Sequence, residues 1–262
     1  MRRLQIVPVL FLCISCSSPS LTDRLATGTW VDLTYPFDST TIYWPTAQPF
    51  RLTVVSAQRM PGGWYYAANT FAAAEHGGTH LDAPVHFGQG KHTTDQIPLS
   101  QLMGAAVVID VSHQADSTAD YRVLPSDIRN WESAHGAIPE GSIVMIRTGW
   151  GRRWPDRQRV LGTTKTGAAA VPELHFPGLS LDAARELARR RVGAVGIDTP
   201  SIDYGQSKNY GVHRRLFAAN IPAFENVAHM EELPVTGAFV IALPMKITGG
   251  SGGPLRIVAL LP

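Results

Sequence analysis

Short apolar runs bounded by turn-forming residues recur along the chain. Six of them read as β-strands: Phe50–Ala57, Ala105–Val111, Ser142–Thr148, Val192–Asp198, Ala238–Pro244 and Leu255–Leu261. They are rich in β-branched residues, and their continuous apolar character predicts strands covered on both faces. Two segments switch to the helical period. In Ser180–Arg191, Leu181, Ala184, Leu187 and Ala188 form one apolar stripe, while Glu186 and Arg190 form an i,i+4 pair on the other side. Ser180 is placed to accept from the free backbone N–H groups of the first turn. Pro125–Gly136 reads as a second helix, ended by its glycine, and a strand follows each helix. Helix-then-strand units with additional β-pairs predict a mixed α/β domain with a mixed sheet.

The first residues follow a different pattern. Arg2 and Arg3 precede an apolar run from Leu4 to Ile14, and small polar residues follow. This is the layout of a secretory signal, and the run is too short for a permanent membrane span. The residues before Cys16 resemble a bacterial lipoprotein cleavage site, although Cys13 stands where such sites usually carry leucine. The expectation is a signal peptide over residues 1–15, a mature domain over 16–262, export, and a lipid anchor at Cys16 as the one membrane contact. Both cysteines lie in this segment. Beyond it there is no thiol nucleophile, so any metal there is held by His, Asp and Glu.

With 262 residues, one sizeable core is the natural domain count. The formal net charge of +2 does not mark a nucleic-acid binder. The basic run Arg147–Arg159, interleaved with Trp150 and Trp154, reads as a solvated loop.

One stretch stands out against this background. Ala74–Phe87 reads AEHGGTHLDAPVHF and holds three histidines, one aspartate and one glutamate. Gly77, Gly78 and Pro84 argue against a helix here. In an extended chain His76, His80, Asp82 and His86 share one face. His80 and Asp82 then stand about 6–7 Å apart, close enough to reach one ion, but His76 to His86 would span about 33 Å if straight. The chain must bend, and the glycine pair and Pro84 are where a bend costs least. Imidazole and carboxylate donors suit Zn²⁺, Mn²⁺ or Fe²⁺ alike. His86 lies about 13 Å beyond Asp82 along a straight strand, which suits a proton shuttle better than a ligand. The glycine-rich Ile247–Pro254 lacks the Gly-Lys-Ser/Thr ending of a phosphate loop and reads as a turn near the site. Asp198, Ser201 and Asp203 read equally as turn formers or as groups orienting a ligand histidine. His175 reads as structural.

HGGTHLDAPVHF resembles the H-x-G-T-H-x-D-x-P-x-H signature of the cyclase family of metal hydrolases, which includes bacterial kynurenine formamidases and isatin hydrolases. GIDTPSID (196–203), GVHRRLFAANIPAFENVA (211–228) and YWP (43–45) resemble further segments of that family. The resemblance implies that His76, His80 and Asp82 bind a first divalent metal, Zn²⁺ or Mn²⁺. Asp82 and Glu225 would bridge to a second ion held by His213, or one ion alone would be bound, as in the isatin hydrolase branch. It further implies His86 as proton donor and acceptor, Trp44 against an aromatic ring, a swivelling β/β/α fold, and a homodimer. The implied activity is hydrolysis of an amide-type C–N bond by a metal-activated water. The substrate would be a small aromatic amide, an aryl formamide such as N-formylkynurenine or a cyclic amide such as isatin. Two rivals come from other classes. His80-x-Asp82 with His213 matches the two-His-one-carboxylate pattern of iron oxygenases, which would leave His76 and Glu225 surplus. A binding lipoprotein without turnover would leave His86 and Trp44 without a task.

Overall fold

The computed structural model describes residues 20–262; the segment expected to be a signal peptide, with Cys13 and Cys16, lies outside the described residues. The strands are β1 (Trp30–Asp32), β2 (Arg51–Arg59), β3 (Tyr65–Ala72), β4 (His80–Asp82), β5 (Met103–Asp110) and β6 (Arg122–Val123). They continue with β7 (Ile143–Arg147), β8 (Gly178–Leu179), β9 (Ala194–Ile197), β10 (Ala223–Glu225), β11 (Thr236–Pro244) and β12 (Gly252–Leu260). The α-helices are α1 (Leu21–Thr27), α2 (Leu99–Leu102), α3 (Ser112–Ser117), α4 (Pro125–His135), α5 (Arg157–Leu161), α6 (Leu181–Arg189) and α7 (Gly211–Ala218). None of these helices is long and apolar enough to cross a membrane.

The main sheet is mixed and closes on itself. Strands β5, β7, β9 and β10 run parallel in that order. β11 lies antiparallel to β5, and β4 lies antiparallel to β10. β12 completes the ring. Gly252–Pro254 pair with β4, Leu255–Leu260 pair with β11, and β1 pairs with the last three residues of β12.

Alternation along the strands divides the core in two. Ala106, Val108, Ile143, Met145, Phe224, Val240 and Ile257 join Leu81 inside the barrel. Val107, Ile109, Val144, Ile146, Val195 and Ile197 point outward onto α4, α6 and α7, meeting Ile128, Trp131, Leu187, Leu216 and Phe217. This two-sided burial explains why β5, β7 and β9 read as unbroken apolar runs. In α6, Ser180 Oγ accepts from Ala183 N at 3.1 Å as its pattern predicts. Ala183, Ala184, Leu187 and Ala188 are buried, and truncating the fully buried Leu187 to alanine costs about 2–5 kcal/mol. Leu181 departs from the predicted stripe: at the first turn it remains 40% exposed.

The expectation of two-sided cover fails for β2. With β3 it forms a separate antiparallel hairpin, and nearly every residue of both strands is exposed. The apolar run there is real, but among the described residues no layer covers it.

Candidate metal centre and active site

The register of the barrel builds the site. β4 is wedged between β10 and β12, with His80 opposite Glu225 and Asp82 opposite both Ala223 and Gly252. The predicted bends fall where expected. Gly78 takes a left-handed φ of +59°, and Pro84–His86 form a 3₁₀ turn. That turn carries His86 back over the cluster, where its ring stacks on His76 with centroids 3.9 Å apart. His213 arrives from the first turn of α7. Asp203 accepts from its backbone N–H at 3.1 Å and lies 2.7 Å from its Nδ1.

His80, Asp82, His213 and Glu225 are each no more than 3% exposed. His80 Nε2 lies 3.2 Å from Asp82 Oδ1 and 3.4 Å from Glu225 Oε2. His213 Nε2 lies 3.2 Å from Asp82 Oδ2 and 3.2 Å from Glu225 Oε1. His76 Nδ1 lies 2.6 Å from Asp82 Oδ1. The Nδ1 atoms fix the tautomers. His80 Nδ1 is 3.0 Å from the carbonyl of Gly78, which only accepts, and His213 Nδ1 faces the Asp203 carboxylate. Both Nδ1 atoms therefore carry hydrogen, and both Nε2 atoms face Asp82 and Glu225.

Nitrogen lone pairs opposed to two carboxylates repel unless a cation or protons sit between them. Ligand atoms that each stand about 2.0–2.2 Å from one ion lie roughly 3–3.5 Å from each other, the spacing seen here. The donor set therefore fits a divalent metal. Two groupings, His80–Asp82–Glu225 and His76–Asp82–His86, each bring one ligand atom per residue within 4.8 Å of one another, and they share Asp82.

The electrostatics agree. Burial opposes protonation of His80 and His213, but their hydrogen bonds to Asp82, and to Asp203 for His213, outweigh it and hold both imidazoles above their ordinary range. Burial also raises the Glu225 carboxyl, and the neighbouring charge of Asp82 adds to that. In Asp82 burial is overcome by His76, His213 and His80, which hold its carboxyl well below the usual range. His86 behaves differently. Burial pushes its imidazole down to about 4, so it is neutral at pH 7.

A cavity of about 320 Å³ opens onto this cluster. Trp44 lines it, as do Ile42, Phe87, Pro200, Ser201 and Tyr210. Trp44 is braced edge-on by Phe176 at 6.3 Å. The three polar residues of the 198–203 segment separate: Asp203 orients His213 and Ser201 lines the cavity, while Asp198 accepts from Thr148 and Trp150 to shape a turn. His175 contacts Asp120 at the surface, away from the cluster. Phe87 and Tyr210 carry no sequence pattern that marks them as lining. Their one signal is adjacency to His86 and to the start of the helix holding His213.

Residues 31–204 match the Cyclase family model. This chain belongs to the cyclase family. Isatin hydrolase of Roseibium aggregatum is 33% identical over 208 residues, covering 76% of this chain and 77% of that protein. Kynurenine formamidase of Bacillus cereus is 29% identical over 235 residues, covering 89% and 98%. Isatin hydrolase A from Labrenzia aggregata, solved bound to benzyl benzoate, superposes with a TM-score of 0.82 at 32% identity, covering 92% of this chain and 97% of that one. The cyclase-family signature read from Ala74–Phe87 is thus supported along most of the chain, and with it the mixed α/β fold.

Proposed function

We propose that this protein is a metal-dependent hydrolase that opens the C–N bond of a small, uncharged aromatic amide. His76, His80, Asp82, His213 and Glu225 would hold a divalent ion or a pair of them. Such an ion, when bound, polarises a carbonyl and activates water. Trp44, Phe87 and Tyr210 supply apolar walls for an aromatic ring. His86 is neutral at pH 7 and can accept the proton of the attacking water. Its conjugate acid is strong and can deliver that proton to the leaving nitrogen. Stacking on His76 and an edge contact with Phe87 at 4.5 Å hold its ring plane in place.

The lining of the cavity carries the choice of substrate. Among the described residues, outside the proposed metal cluster it contains no Lys, Arg, Asp or Glu. N-formylkynurenine carries a zwitterionic amino-acid group, which is costly to desolvate without charged partners. A neutral fused-ring amide of the isatin type carries no such group, and its size suits a cavity of about 320 Å³. The test is a hydrolysis assay of purified protein loaded with Mn²⁺ or Zn²⁺, comparing isatin, simple aryl formamides and N-formylkynurenine. Ring opening of the neutral cyclic amide with the highest kcat/KM is expected. Preference for N-formylkynurenine would reverse the substrate assignment, and absence of turnover on all three would remove the hydrolase reading.

A further inference from the structure

His76 differs from the other two histidines of the cluster in which nitrogen it turns inward. In His80 and His213 it is Nε2; in His76 it is Nδ1, 2.6 Å from Asp82 Oδ1. The outer nitrogen, Nε2, lies 2.9 Å from Ser251 Oγ. Ser251 Oγ–H in turn donates to Glu75 Oε2 at 2.6 Å, and the backbone N–H of Ser251 donates to the same oxygen at 3.0 Å. A hydroxyl has one proton. Because that proton goes to Glu75, the oxygen facing His76 presents a lone pair and accepts from Nε2–H. The chain Glu75–Ser251–His76 thus fixes the His76 tautomer, leaving the Nδ1 lone pair for the cluster.

The glycine-rich segment 247–254 makes this seat available. A Cβ on Gly252 would stand 2.6 Å from His76 Cε1, and a Cβ on Gly250 would stand 2.9 Å from Glu75 Oε1. Ser251 is anchored to the strand that carries Asp82, since its carbonyl accepts from Ala83 N at 2.8 Å. His80 and His213 have simpler outer partners, the Gly78 carbonyl and the Asp203 carboxylate. Ser251 and Glu75 perform the same task for His76 in two steps, because the carboxylate lies one hydroxyl too far away to accept directly.

We infer that Ser251 and Glu75 are positioning residues that act in series to set the tautomer and basicity of His76 as a metal ligand. The inference rests on the proposed metal centre. Partners of this kind typically change metal affinity about 10–100-fold when removed. The test measures Zn²⁺ affinity by chelator competition for the wild type, Ser251→Ala, Glu75→Gln and the double variant, with thermal melting as a check of folding. Each single variant is expected to weaken binding about 10–100-fold. Because Glu75 acts through Ser251, the double variant should bind as Ser251→Ala does. In the Zn²⁺-loaded wild type, ¹⁵N-histidine NMR should show a protected Nε2–H for His76 that Ser251→Ala loses. A double variant showing the product of the two single losses would overturn the series. So would a folded Ser251→Ala protein with wild-type affinity. A wild type that binds no Zn²⁺ or Mn²⁺ would instead remove the metal centre itself, and the relay with it.

Discussion

The imidazole of His86 stacks on that of His76, with ring centroids 3.9 Å apart and planes 22° from parallel. The stack places a neutral base against the ligand cluster without burying it among the carboxylates. A group there is suited to moving protons. His86→Ala should lower kcat about 10²- to 10⁴-fold while metal content is kept. Substrates with better leaving groups should suffer less, because they need less protonation at nitrogen. Steady-state kinetics across a leaving-group series, with metal analysis of the same samples, checks this. Loss of metal in the variant would make His86 a ligand of the His76–Asp82–His86 grouping.

His80 Nε2 faces both carboxylates of the cluster, at Asp82 Oδ1 and Glu225 Oε2, opposite the other oxygens of the same two groups that His213 Nε2 faces. His80→Ala should abolish metal binding and activity together, as read by elemental analysis and the hydrolysis assay. Glu225→Gln separates one ion from two. It should lower the metal stoichiometry if Glu225 bridges two ions and leave a one-metal site that does not use it unchanged.

The cluster was legible because most of its side chains are crowded in sequence. His76, His80, Asp82 and His86 share one short segment, and the glycine pair and Pro84 announce its bends. The family resemblance brought in His213 and Glu225, which no local spacing connects to that segment. Ser251 was hidden because its role depends on β12 pairing with β4, which brings it to His76 across 175 residues, a contact that periodicity cannot reveal. The strands of the barrel were readable wherever both faces are covered. The same rule misjudged β2, because an apolar run records that burial is needed without recording what supplies it.

Glu132 on α4 and Arg190 at the end of α6 form a two-pronged ion pair, Nε to Oε1 and Nη2 to Oε2, each 2.7 Å. Both side chains are 20% exposed. The hydrogen bond from Arg190 holds the Glu132 carboxyl below its ordinary value of 4.5, despite some opposing burial. A depressed carboxyl stabilises the fold above its unfolded-state value, and that contribution is lost as pH falls through the lowered folded value. Glu132→Gln should therefore cost about 1–2 kcal/mol at pH 7, less than a fully buried pair would, because solvent screens it. Urea denaturation at pH 7, 5 and 3.5 should show the gap to wild type closing toward the acid end. A gap independent of pH would assign the loss to packing instead.

The β2–β3 hairpin leaves Leu52, Val54, Val55, Trp64, Tyr65, Tyr66 and Phe71 between 50% and 64% exposed. A lone two-stranded hairpin is marginal in water. A β-bulge at Val55 interrupts the pairing between Val54 and Ser56 and breaks the simple alternation of faces there. Taking about 150–250 Å² for each aromatic side chain and somewhat less for each aliphatic one, the half-exposed set offers roughly 600–700 Å². That approaches the ~800 Å² that each partner of a stable pair contributes. The same chain carries a groove along Phe37, Leu243, Pro244, Met245 and Leu255, edged by Asp32 and Arg256, with Leu243 and Met245 more than 40% exposed. We propose that a second copy covers the hairpin, each arm lying on the other's groove about a two-fold axis. Sedimentation of the purified protein at micromolar concentration should give a dimer. Leu52→Glu combined with Val54→Glu places two charges on one face of the arm and should yield monomers that keep the far-UV spectrum and the metal content. A wild type that sediments as a monomer at tens of micromolar would leave the hairpin to some other occupant and refute the pairing.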